Sequence, residues 1–376
     1  MKALVLSGGG ARGSYQAGVL TAIAEIAAKH KVRQPFKIYT GVSAGAINAS
    51  FMAAGADDFA LAAQRLAQLW RGIHSDQIFK TDAISLGKIG LSWVGELSFG
   101  GLSSGVHHGK SLLDTAPLTD LIKNNIAFSK IQEHIKSGAL HSLGITALDY
   151  KTSETITFVE GHQPPSWKRS RRHSENTRIN PSHIVASSAI PLLFTPGKVE
   201  DRYFGDGCVR NQQPLSPALH LGATSLLVIG VRKMDSTAHD EKVLKSTAAP
   251  SIALVANVLL NAVLLDGIDV DIERLNRINS FLQLVPEQHH DRLNFKAVNY
   301  VWIHPSKDIG ALAATMATKL PRVIRYLLKG LGPLDDASEI ISYLLFEPSF
   351  CSQLIELGYQ DGIDQEPSIA EFLTSP

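Results

Sequence analysis

Two short glycine-rich turns decide most of what this chain can fold into. The first, Gly8-Gly9-Gly10-Ala11-Arg12-Gly13, follows the apolar run Lys2 to Ser7. It precedes a segment with Val19, Ile23, Ile26 and Ala27 at helical spacing. The second, Gly41-Val42-Ser43-Ala44-Gly45, follows the short run Pro35 to Thr40 and opens another helical segment, Ala44 to Gly55. The order strand, loop, helix, strand, turn, helix requires parallel strands joined by crossover helices, which predicts an α/β sheet. Both turns then lie at the carboxyl edge of neighbouring strands, where sites form in such sheets.

The second turn has the form G-x-S-x-G, a nucleophile elbow in which a sharp strand-to-helix turn lifts a serine clear of the backbone. Ser43 is the candidate nucleophile, with Gly41 and Gly45 as the small residues of the turn. The first turn also fits G-x-G-x-x-G, a dinucleotide fingerprint. That reading expects an acidic residue about 20 residues further on, at the end of the second strand. The second strand instead runs into Thr40-Gly41-Val42-Ser43, so a serine elbow occupies the place of the ribose-binding acid. Glycines also let several backbone N–H groups converge at a helix N-terminus, where negative charge is favoured. An oxyanion formed during acyl transfer needs such donors.

A serine hydroxyl needs a base. Of the 14 histidines, His107-His108 and His289-His290 lie in polar surroundings and His220 and His304 lie near strands; none is singled out. Asp206, in Gly205-Asp206-Gly207 after a short apolar hairpin, reads alone as a tight turn. Beside a glycine loop and a serine elbow it becomes the candidate base.

Taken together, Gly8 to Gly13, Gly41 to Gly45 and Asp206-Gly207 resemble the patatin-like phospholipase family, whose motifs come in this order. Ala186 to Phe194 is similar to the segment before the family's aspartate. Cys208 departs from the Gly or Ala usual after the aspartate's glycine, though it keeps a small side chain. The resemblance implies a three-layer α/β/α fold with a mostly parallel central sheet. It also implies a lipid acyl hydrolase of the phospholipase A or lysophospholipase type, using a Ser43–Asp206 dyad and no metal or other cofactor. Gly8, Gly9, Gly10, Arg12 and Gly13 would form the oxyanion loop, with Arg12 either bracing it or meeting a substrate phosphate. Gly207 and Cys208 would complete the aspartate turn. The alternatives are a Ser-His-Asp triad esterase, which usually has several strands before its elbow, and a catalytically silent lipid-binding protein.

The rest of the chain adds organisation. At 376 residues, 44% hydrophobic and 19% charged, it is long enough for one large domain or two modest ones. A net charge of +1 gives no field to attract nucleic acid. Two cysteines suggest a reducing compartment. With no cleavable leader in view, a cytoplasmic location with peripheral contact to lipid or membrane is expected. Residues 1–235 are expected to form the catalytic core. Residues 236–376 form a mainly helical extension with a late strand near 298–306, packed on the core and not independent of it. The apolar stretch Ser251 to Gly267 is shorter than a membrane span and is expected to be a buried or interface-lying helix. Residues 83–106 are expected to be either a surface excursion or an apolar flap. His162 to Arg178 is expected to be a basic loop, solvated or facing anionic headgroups. Pro181 to Phe194 is expected to be a helix ending near Pro191.

Overall fold

A computed structural model of the chain describes residues 1–80, 111–234, 249–264, 267–286, 289 and 296–375. The stretch 83–106, read above as excursion or flap, lies outside the described residues. The strands are β1 (Lys2–Leu6), β2 (Ile38–Val42), β3 (Ser142–Asp149), β4 (Thr155–Gly161), β5 (Lys168–Arg169), β6 (Arg172–Asn176), β7 (Gly197–Val199), β8 (Arg202–Asp206), β9 (Ser225–Ile229) and β10 (Asn299–Ile303). They make one mixed sheet in the order β10-β9-β1-β2-β3-β4-β6-β5, with β8 against the end of β3 and β7 on β8. From β10 to β3 every pairing is parallel.

Parallel strands joined by helices are covered on both faces, so they read as near-continuous apolar runs. Alternate residues of β1 enter two different cores. Leu4 and Leu6 join Tyr39 and the helices Gly13–Lys29 and Ala44–Ala54 on one side. Ala3 and Val5 join Ile38, Leu226 and Val228 on the other, beneath Ala218 and the residues Ile268, Ile272 and Leu275 of helix Gly267–Leu284. This is the expected three-layer α/β/α arrangement. Part of the second layer therefore comes from beyond residue 236, as does β10, which extends the sheet beside β9.

The helix that follows the glycine loop is itself clamped from the carboxyl-terminal segment. Gly13–Lys29 crosses helix Pro348–Asp364 so closely that a Cβ on Gly18 would fall on the Ile355 carbonyl, and one on Gly358 would fall on the Tyr15 carbonyl. At the same crossing the Tyr15 hydroxyl donates to Asp361 Oδ2 at 2.9 Å.

Two local expectations are corrected, and a third, a buried or interface-lying helix, loses its first alternative. The helix predicted to reach Pro191 stops at Ser187. Pro191 disfavours helical backbone at Ile190, and a turn takes over in which Phe194 N–H donates to the Ile190 carbonyl at 2.8 Å. The basic loop contains a hairpin, β5–β6, because β6 pairs in parallel with the free edge of β4 despite its polar sequence. The apolar helix Ile252–Leu264 is not buried: Val258 and Leu259 are about 60% exposed. Its 13 residues rise about 20 Å, short of the roughly 30 Å hydrocarbon core of a bilayer. The longer run Ile252–Leu284 is, by length and composition alone, the one helix among the described residues long and apolar enough to cross a membrane, and a quarter of its apolar window is buried.

Candidate active site

Ser43 follows β2 and caps the helix Ala44–Ala54 with φ 56° and ψ −127°. A non-glycine residue held there carries strain of order 1–3 kcal/mol, sustained only where the surroundings fix it. Here they do. Ser43 N–H donates to Ser187 Oγ at 2.9 Å, and Ser187 Oγ donates onward to the Thr146 carbonyl at 2.6 Å. Ser188 Oγ donates to the Ser43 carbonyl at 3.2 Å. Gly45 lets this elbow press on β1, since a Cβ there would meet the Leu6 and Ser7 carbonyls.

Asp206 ends β8, directly across from Ala147 of β3. Its backbone N–H donates to the Ala189 carbonyl at 2.7 Å, and its Oδ1 accepts the Cys208 N–H at 2.9 Å. The side chain is 1% exposed. Burial pushes its carboxyl from 3.8 up to about 6, against hydrogen bonds from the Ser43 hydroxyl, the Cys208 N–H and the Cys208 thiol. Desolvation raises a carboxylate's basicity because it penalises the charged form. The Cys208 thiol is buried in turn, and burial together with the Asp206 charge pushes it well above the usual thiol range. Both sequence-predicted reactive groups are thus brought together.

The glycine loop faces them. Gly10 lines the same cavity as Ser43. It sits at φ 57°, and a Cβ there would strike the Tyr343 carbonyl. Among the described residues, neither the Gly9 nor the Gly10 N–H has an intramolecular acceptor. The Gly8 N–H is instead directed at the Cys208 sulfur. Gly13 is held to the elbow helix: Asn48 Nδ2 donates to its carbonyl at 2.9 Å, and Asn48 Oδ1 accepts from Trp70 Nε1 at 2.8 Å.

Arg12 points away from the nucleophile. Its buried guanidinium pairs with Glu339, donates from Nε to Ser342 Oγ at 2.8 Å and lies over the Tyr343 ring at 5.1 Å. Of the two roles left open for it, the geometry matches the brace. Glu339, Ser342 and Tyr343 were not among the sequence-predicted site residues, and neither were Ser187 and Ser188. The paired serines inside Ala186 to Phe194 were the available signal for the latter two.

No described histidine hydrogen-bonds Ser43 or Asp206. The Nδ1 of buried His183 accepts the Asn180 N–H at 3.1 Å, and burial pushes His183 down to about 4. His107, His108 and His290 lie outside the described residues. Among the described residues no three His, Cys, Asp or Glu side chains converge as a metal site. The cavity at Ser43 is walled by Ile47, Leu69, Trp70, Leu118, Ile190 and Phe194, and its volume is only about 30 Å³.

A family model described as patatin-like phospholipase matches residues 4–219. The chain belongs to that family. No curated protein matches the sequence significantly. Among solved structures, VipD from Legionella pneumophila is 13% identical, with 98% of this chain and 67% of that one aligned at a TM-score of 0.37. Human GIVD cytosolic phospholipase A2 is 12% identical, covering 99% and 59% at 0.45. The type III effector protein ExoU is 14% identical, covering 98% and 53% at 0.39. The chain thus spans between about half and two thirds of the length of these similar structures.

Proposed function

We propose that this patatin-like chain is a serine acyl hydrolase that cleaves carboxylic-ester bonds of lipids, as a phospholipase A or lysophospholipase does, through a Ser43–Asp206 dyad. The observation that supports it most is the buried Asp206 carboxyl, raised to about 6, beside the strained Ser43 hydroxyl. A carboxyl at its ordinary value is a weak base at neutral pH; one near 6 is still ionised at pH 7 and a better proton acceptor.

In the proposed sequence Ser43 Oγ attacks the ester carbonyl while its proton passes to Asp206. The carbonyl oxygen becomes an oxyanion facing the Gly9 and Gly10 N–H groups, which carry no competing acceptor. Collapse of the tetrahedral intermediate breaks the C–O bond, and the leaving alcohol takes the proton back from Asp206. Water then attacks the acyl-serine, again giving its proton to Asp206, and the fatty acid leaves as Ser43 regains its proton. Arg12 does not touch substrate in this scheme; it holds the loop. The apolar walls around Ser43 suit an acyl chain. Cytoplasmic placement with peripheral contact to lipid completes the reading.

The test is incubation of a mixed lipid extract with wild type and with Ser43→Ala, followed by mass spectrometry of released fatty acids. A fluorophosphonate probe should label wild type at Ser43 alone. Fatty-acid release that survives in Ser43→Ala would end the assignment.

A further inference from the structure

The short turn that begins at Asp206 borders two surfaces for which the reaction has no use. It runs Gly207–Arg210. Val209 lies in an apolar groove of about 410 Å³, and its neighbour Arg210 lies in a cationic pocket of about 610 Å³.

The groove is walled by two helices whose polarity is unusual. In Ile252–Leu264 the inward face carries Ala253, Asn257 and Leu264, and Asn257 Oδ1 accepts the Glu339 N–H at 2.9 Å. The outward face carries Ile252, Leu254, Val255, Val258, Leu259 and Val263, at 37–68% exposure. A helix on a protein surface normally turns its polar side to water; this one turns its apolar side out. Helix Arg322–Leu331 buries Ile324 and Leu328 and leaves Leu327 and Leu331 about 40% exposed along the groove. Its other side carries Arg322, Arg325 and Lys329 with the exposed Tyr326, and the helix holds no acid. Exposed apolar side chains next to basic ones on one helix are the pattern of helices that lie in a lipid–water interface.

The pocket gathers Arg169, Arg171 and Arg172 of the β5–β6 hairpin with Arg210. Among the described residues none of the four is ion-paired to a carboxylate. The acid whose charge acts on Arg172 is Asp271, already engaged by Arg274 at 3.7 Å and by the Leu215 N–H at 3.0 Å. Burial lowers the Arg172 guanidinium, Arg169 and Arg274 push it the same way, and Asp271 alone opposes them. Four arginines so placed lack a counter-anion, and guanidinium forks match phosphate oxygens.

Both surfaces sit at the catalytic edge. Arg172 is in register with Thr155, and Thr155 with Leu148, next to the Ala147 that faces Asp206. Ile190 lines both the groove and the cavity of Ser43. We propose that this edge docks on a lipid surface bearing anionic phosphate headgroups, with the arginine pocket taking a headgroup and the apolar faces of the two helices entering the acyl region. The inference rests on the lipid-hydrolase reading, and its test is read without hydrolysis.

The full chain is sedimented with vesicles of ether-linked phosphatidylcholine, with and without ether-linked phosphatidylglycerol, since ether lipids bind but cannot be cleaved as esters. Wild type should favour the anionic vesicles by about tenfold or more at low salt, and the preference should shrink as salt rises. Arg169→Gln with Arg172→Gln should remove the preference. Val258→Asn with Leu259→Asn should reduce binding to both vesicles. Circular dichroism and melting curves confirm that each variant is folded; should a pair fail to fold, its single substitutions give the same reading. Equal binding to the two vesicles, or a preference that survives the arginine pair, overturns the proposal. So does a rise in melting temperature with inorganic phosphate but no sedimentation, which marks a soluble-anion site. A dimer broken by the Val258 and Leu259 substitutions, again without sedimentation, overturns it in favour of a second copy. If the binding pattern holds but no lipid ester is hydrolysed, the catalytic reading fails and this one stands.

Discussion

Asp206 carries two opposed demands, and they make the sharpest predictions at the scale of one residue. As the proposed base it must be ionised; as a buried group it resists ionisation, with its carboxyl moved from 3.8 to about 6. Activity should therefore fall about tenfold for each pH unit below 6 as the carboxylate takes up its proton. The stability consequence runs the other way. Below pH 3.8 the folded and unfolded chains both hold the proton, and the raised value costs nothing. As pH rises through 6 the unfolded chain has ionised freely while the folded chain must bury the charge, which costs about 3 kcal/mol at neutral pH. Asp206→Asn, close to isosteric, should lose at least about a thousandfold in kcat. It should also unfold at higher urea than wild type at pH 8, and the advantage should vanish near pH 4. Paired urea titrations at the two pH values check this. A variant less stable than wild type at pH 8 would mean that Asp206 supports the fold instead of straining it. Turnover retained in Asp206→Asn but lost in a folded histidine variant would replace the dyad by a triad.

At the scale of elements, what was legible in the sequence was what is local. Strand, glycine turn and helix are consecutive, so Ser43 and the glycine loop could be placed at one sheet edge from spacing alone. Asp206 could be nominated only from its neighbours in sequence and from the resemblance; its burial and its contact with Ser43 depend on β8 docking against β3. The Arg12 brace was out of reach because its partners Glu339 and Ser342 lie 327 and 330 residues away. The apolar stretch from Ser251 had a helical spacing but no marker of which side faces solvent, and the basic stretch gave no hint that a neighbouring strand edge would draw it into a hairpin. The brace yields a prediction. Arg12 is 2% exposed, and removing one partner of a buried pair leaves an uncompensated charge. Arg12→Met should cost about 3 kcal/mol of stability, and adding Glu339→Leu should restore much of it. Denaturant titrations around this double-mutant cycle decide it. Losses that simply add would show that the two side chains act independently.

At the scale of the whole molecule, residues beyond 236 do more than cover the core. β10 pairs along the full length of β9, whose five residues are all buried. Helix Gly267–Leu284 closes the second face of the sheet. Helix Pro348–Asp364 grips the helix that starts at the glycine loop, and Tyr343 packs its backbone against Gly10 while Glu339 holds Arg12. The glycine loop is therefore shaped from the far end of the chain, which is why the three motifs, complete by residue 208, do not amount to a self-sufficient enzyme in this reading. A chain ending at residue 235 should leave the strand Ser-Leu-Leu-Val-Ile of β9 as an open apolar edge, a template for pairing with other chains. It should also leave Arg12 buried without its anion. The expected outcome is a product that elutes as aggregate on size exclusion, lacks near-ultraviolet circular dichroism and fails to react with a fluorophosphonate. A monomeric 1–235 chain with a cooperative melt and a labelled Ser43 would show that the motifs fold and work alone, and that the carboxyl-terminal segment is an independent addition.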